Sequence, residues 1–135
     1  MPLITWKDSY SVGVKELDAQ HQKIFELINQ LYAAMVDMKE KEIIASVIKD
    51  VAEYSHYHFG TEEKYMDEFD FAEKEAHEEY HKKYIEKVGQ FEKECREGKE
   101  NLPQETLDFL EDWWNLHILG IDKKYSKFFN DHGLY

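Results

Sequence analysis

Cysteine, proline, glycine and positive charge are all scarce in this chain of 135 residues, and each shortage removes a class of protein. The single cysteine, Cys95, cannot close an internal disulfide, so nothing in the sequence requires an oxidising compartment. Two prolines and six glycines are too few to punctuate many short strands, which favours long uninterrupted helices. No stretch approaches the roughly 20 apolar residues that a membrane-spanning helix needs. The opening Met1-Pro2-Leu3-Ile4-Thr5-Trp6-Lys7 has neither the basic leader nor the apolar stretch of an export signal, and a cytoplasmic location is the expectation. Only 17 Lys and Arg stand against 29 Asp and Glu, a net charge of −12, and such a surface repels nucleic acid and anionic membranes. Also missing are a Ser/His/Asp arrangement, a glycine-rich phosphate loop and a paired-cysteine zinc motif.

What is present is a core. Apolar residues make up 42% of the chain and aromatics 15%, enough to exclude disorder although 34% of residues are charged. The length fits one domain, residues 1-135. Apolar side chains recur at helical spacing in four segments: Ile24, Phe25, Ile28, Leu31, Tyr32 and Met35; Ile44, Val47, Val51 and Tyr54; Tyr84, Val88, Phe91 and Cys95; Leu107, Leu110, Trp113, Trp114, Ile121, Tyr125 and Phe128. Asp18 is a candidate cap for the first helix, Gly98 a stop for the third, and Pro103 suits the first turn of the fourth. The expected architecture is an all-α, antiparallel up-and-down four-helix bundle with an N-terminal arm over 1-17 and helices at about 18-38, 41-66, 71-96 and 103-130.

The inward stripes turn polar in a pattern that packing alone does not explain. His58 and Glu62 are four apart, as are His77 and His81, so each pair points at one neighbour on a helix. In an up-and-down bundle the end of the second helix adjoins the start of the third, and the first helix begins and the fourth ends at that same level. His21, His117 and Asp122 can therefore join the two pairs. Burying seven such groups is costly unless something satisfies them, and a metal does so. Five imidazoles, two bridging carboxylates and a shared oxo or hydroxo bridge fill all but one of about twelve positions around two octahedral ions. One vacancy suits a small diatomic ligand, and mostly neutral imidazoles favour reversible binding over oxygen cleavage. The donor set by itself also suits zinc or manganese. His117 and Asp122 are five apart, so a wider, π-type turn near Gly120 is needed to bring Asp122 inward. Gly60 and Gly120 each stand beside a ligand, where the lack of a side chain is expected to leave room. His56 and His132 fit no ligand spacing, Cys95 reads as a small core residue, and Glu63 is a candidate partner for a ligand.

The run His58-Phe59-Gly60-Thr61-Glu62-Glu63-Lys64-Tyr65-Met66, followed by Phe71, His77 and His81, resembles the characteristic pattern of the hemerythrin family. Trp6, Val12-Gly13-Val14, Asp18, Gln20-His21, Trp113, His117-Ile118 and Asp122 resemble the flanking motifs of its bacterial branch, so the likeness spans nearly the whole chain. The resemblance implies two iron ions. His77, His81 and His117 would bind the coordinatively full one, His21 and His58 the one with an open position, and Glu62 and Asp122 would bridge them. It implies reversible dioxygen binding for transport, delivery or storage, with small anions such as azide as ligands of the oxidised state, an oxygen-consuming enzyme as partner, and no enzymatic activity of its own. Two other roles stay open: an oxygen or redox sensing module, and a di-iron enzyme reducing peroxide or nitric oxide. Phe59, Trp113 and Trp114 would line the ligand pocket. The family usually carries leucine or another aliphatic residue at the place of Trp114, so the larger indole is expected to narrow access to the open iron and slow azide exchange.

Overall fold

Apolar residues three and four apart, with charges between them, gather on one stripe only when the chain coils into a helix. The computed structural model of the chain describes residues 2–135. It contains α1 (Lys15–Val36), α2 (Lys41–Glu68), α3 (Lys74–Arg96), α4 (Leu102–Leu116), a π-helical turn (His117–Asp122) and α5 (Lys123–Asp131). The last three follow one another without a break and form one rod. The result is an all-α, antiparallel up-and-down four-helix bundle. Met1, the first residue of the expected arm, lies outside the described residues. Among the described residues no helix is long and apolar enough to cross a membrane.

Helix ends follow one rule. At Met38 (φ 53°), Asp70 (φ 56°), Gly98 (φ 80°) and Gly133 (φ 86°) the backbone turns left-handed. The next amide then reaches back over the last turn: Lys39 N–H to Ala34 O, Phe71 N–H to Met66 O, Lys99 N–H to Glu94 O, and Leu134 N–H to Phe129 O. This double closure satisfies carbonyls that the helix leaves unpaired. It also moves two expected boundaries. Phe71 closes α2, so α3 starts at Lys74 rather than at 71, and the turn at Met38 ends α1 at Val36 rather than at 38. α2 continues past 66 to Glu68.

At the other end α1 begins at Lys15, not at Asp18, and Val14 stands at the cap position. Asp18 lies inside the first turn, where its carboxylate accepts hydrogen bonds from the Ser11 hydroxyl (2.5 Å) and the Val12 N–H (2.8 Å). Asp18 thus fastens the arm to the bundle instead of capping the helix. The arm is held again where Asn29 Oδ1 accepts from the Leu3 and Ile4 amides and Asn29 Nδ2 donates to Ile4 O.

The core runs the length of the bundle, with Leu17, Ile24, Ile28, Leu31, Ile48, Val51, Val88, Leu110, Ile118 and Phe129 fully buried. Each such side chain contributes about 1.5–3 kcal/mol relative to exposure. On α2 the buried stripe is rotated from the expected one: Ile44, Ile48, Val51, Ser55, His58 and Glu62 face inward, while Val47 and Tyr54 are only half-buried. Tyr54 is an aromatic resting on the flank, and Ser55, a hydroxyl, takes the inward place beside it.

Candidate metal centre

The fold delivers seven polar side chains to one level. The short connection from Phe69 to Glu73 sets the end of α2 against the start of α3, so His58 and Glu62 meet His77 and His81. α1 brings His21 in its second turn, and the rod of α4 brings His117 where it passes into the π-helical turn. On a regular helix Asp122, five residues after His117, would point about 140° away. The wider turn over His117–Asp122 absorbs the extra residue and leaves both side chains buried on the inner face.

All seven are at most 3% exposed. They divide into two groups of donor atoms, each within 4.8 Å of one another: Glu62, His77, His81, His117 and Asp122 on one side, and His21, His58, Glu62 and Asp122 on the other. The two carboxylates belong to both. Asp122 turns Oδ1 toward His77 Nε2 and His117 Nε2, each at 3.0 Å, and Oδ2 toward His21 Nε2 at 3.1 Å. Glu62 Oε1 lies 3.3 Å from both His58 Nε2 and His81 Nε2. None of these pairs has the direction of a hydrogen bond. Instead, every buried side-chain nitrogen or oxygen without a partner among the described residues belongs to these seven residues. Adjacent donors of an octahedral ion, with bonds of about 2.1 Å, stand about 3.0 Å apart, close to the 3.0–3.3 Å of these pairs, while His77 Nε2 and Glu62 Oε1 are wider at 3.8 Å. Each of the two groups fits a bound metal ion.

Charge points the same way. Burial disfavours ionised Glu62, yet His58 foremost, then His77 and His81, hold its carboxyl well below the usual range. Burial and the charge of Glu62 oppose ionisation of Asp122, but His117 and His21 keep it below the carboxylate range too. Two buried anions then need positive charge. Without a metal that charge comes from protons: burial works against a proton on His77, but Asp122 and Glu62 outweigh it and raise its pKa to about 10. His81 is raised as well, against burial, by Glu62 and Glu63. His58 goes the other way, lowered by burial and by neighbouring His21 in spite of Glu62. Protons and metal ions compete for one site.

A ring of partners orients the donors. Gln20 Oε1 lies 2.6 Å from His58 Nδ1, and Gln20 Nε2 donates to the Thr61 hydroxyl at 3.2 Å. Accepting from Nδ1–H leaves the Nε2 lone pair of His58 facing the cluster. Glu63 Oε2 stands 3.4 Å from His81 Nδ1. Tyr125 donates its hydroxyl to Glu62 Oε2. Sequence reasoning reached Glu63 but not these roles for Gln20 and Tyr125. The signal for Gln20 was a polar side chain on an inward face, whereas Tyr125 read as core because its ring packs there as phenylalanine would.

Aromatic rings wall the cluster. Phe59 stacks on His81 at 3.8 Å and 8°, and Trp113 on His117 at 4.1 Å and 12°. Trp114 is fully buried, its ring 5.9 Å from His58 and 6.1 Å from His21. His56 and His132 are exposed and away from the cluster, and Cys95 is buried in the core. Gly60 and Gly120 do not make room for the ligands: both face outward, and a Cβ at either meets nothing within 4 Å.

A family model described as the Hemerythrin HHE cation binding domain matches residues 12–129. Similar relatives include bacteriohemerythrin of Clostridium acetobutylicum, 33% identical over 91% of this chain and 98% of the relative. Bacteriohemerythrin of Stenotrophomonas maltophilia is 31% identical over 93% of this chain and 81% of its own. A crystal structure of wild-type hemerythrin superposes with a TM-score of 0.85 at 28% identity, covering 93% of this chain and 96% of that one.

Proposed function

The chain belongs to the hemerythrin family, and from that premise we propose that it binds dioxygen reversibly at two iron ions held by His21, His58, Glu62, His77, His81, His117 and Asp122. The observation that carries this reading is the set of buried, unpartnered donor atoms, all of which belong to those seven residues. When bound, an iron pair supplies two electrons and a vacant coordination position for the gas. The division of donors supports an unequal pair, three imidazoles on one side and two on the other, with Glu62 and Asp122 shared.

The chain's own residues do the rest. Gln20 and Glu63 fix which imidazole nitrogen of His58 and His81 faces the cluster. Tyr125 steadies Glu62 by donating to the oxygen turned away from the imidazoles. Phe59, Trp113 and Trp114 surround the centre with rings that exclude water, which limits proton entry and loss of the bound gas. Those rings supply no carboxylate or imidazole for acid or base work, so binding is favoured over turnover. The test is optical: the chain loaded with iron(II) under nitrogen gains visible charge-transfer bands in air and loses them when oxygen is removed, over repeated cycles. Irreversible oxidation at the first exposure, or steady consumption of peroxide or nitric oxide, would overturn the reading.

A further inference from the structure

A second buried polar chain runs beside the cluster and touches none of the proposed ligands through its hydrogen bonds. Trp114 Nε1–H donates to the Tyr84 hydroxyl at 3.1 Å, that hydroxyl lies 2.9 Å from Ser55 Oγ, and Ser55 donates to the Val51 carbonyl at 2.6 Å. Its direction is determined. An indole can only donate and the Ser55 proton is committed to Val51, so Tyr84 accepts from Trp114 and donates to Ser55. Burial holds the Tyr84 phenol far above its ordinary range, against the pull of Ser55 and Trp114, and keeps it a donor.

The three side chains come from α4, α3 and α2 and are at most 1% exposed. Phenylalanine at position 84 and alanine at position 55 would fill nearly the same volumes without polar groups to satisfy. The hydrogen bonds fix something that packing alone leaves adjustable, the angle of the Trp114 ring. That ring stacks on Phe59 at 5.7 Å and 18° and faces His21 and His58, the two-histidine side of the cluster. Tied from Val51 through to the indole, Trp114 is a fixed wall rather than a swinging gate.

We propose that Ser55 and Tyr84 are positioning residues that hold Trp114 across the two-histidine side of the centre, so that the pocket admits a diatomic ligand and retards longer linear anions. This rests on the reading that a ligand enters beside His21 and His58. The size limit is then set by a hydroxyl on a different helix from the wall it holds.

The experiment uses the iron-loaded protein. Tyr84→Phe keeps the ring and removes the hydroxyl; Ser55→Ala removes the acceptor. Two quantities are read: hydrogen exchange of the Trp114 indole N–H by NMR, and stopped-flow association of azide with the oxidised protein. Both variants should exchange the indole proton faster and take up azide about tenfold faster, the factor that corresponds to one lost buried hydrogen bond. Tyr84→Phe should add nothing in a Trp114→Leu background. Faster indole exchange with unchanged azide association would overturn the proposal, as would an equal effect of Tyr84→Phe with and without Trp114. Reversible dioxygen binding by the parent protein is the separate control. Its failure sinks the reading of function, whereas its success with insensitive variants sinks only this one.

Discussion

The imidazole of His58 has two nitrogens and the chain employs both: Nδ1 meets Gln20 at 2.6 Å, and Nε2 faces the cluster without a hydrogen-bond partner. Gln20→Leu should therefore weaken iron binding by about 10–100-fold in a chelator competition while leaving the helical content unchanged. His77 gives a pH dependence whose sign is fixed. In the metal-free chain its folded pKa of about 10 lies above the ordinary 6.5, because Asp122 and Glu62 outweigh burial. The stabilisation is complete below pH 6.5 and disappears as the pH climbs through 10. Thermal melts of the metal-free protein should show a midpoint falling across that window, and melts of the loaded protein should not, since ligation already holds the imidazole neutral. A flat profile without metal would count against protons as the stand-in charge. At this scale the pairs His58/Glu62 and His77/His81 were legible because four residues make one helical turn. Gln20 and the Ser55–Tyr84–Trp114 chain were not, since each partner lies on a different helix and only packing brings them together.

Along the elements, the π-helical turn is where local sequence and site geometry meet. A five-residue interval between His117 and Asp122 conflicts with the helical period, and the turn widens to accommodate it. That conflict was visible in the sequence, and so was the stop at Gly98. The turn at Met38 was less so, because it carries a residue that rarely adopts a left-handed backbone, exposed and with φ 53°. Met38→Gly should stabilise the protein by about 1 kcal/mol in urea unfolding by relieving that backbone. Gly60 invites the opposite change. It lies inside α2 with open space where a Cβ would stand, so Gly60→Ala should stabilise by about 0.5–1 kcal/mol and leave iron content unchanged. A loss of iron in Gly60→Ala would mean that the position does crowd the site after all. The rotated stripe of α2 has a related lesson: Val47 and Tyr54 fit an inward face by type, but Ile48 and Ser55 occupy it, because residues flanking a stripe share nearly the same period.

For the whole molecule, the candidate metal centre and the core are one structure. Two buried carboxylates and five buried imidazoles sit at the meeting of all four rods, where the metal-free chain must settle their charge with protons alone. Removing metal should therefore lower the melting temperature; at a hundredfold excess over the dissociation constant, bound metal contributes about 2.7 kcal/mol, roughly 10 °C for a domain of this size. An unchanged melting temperature would mean that the cluster is a satisfied polar core. The most direct test is an anaerobic titration of the metal-free chain with iron(II), followed by metal analysis after desalting. Saturation at two irons per chain, lost in Asp122→Ala, is the predicted result. Saturation at one iron or none, or two irons that persist without Asp122, would contradict a shared centre built by these seven side chains.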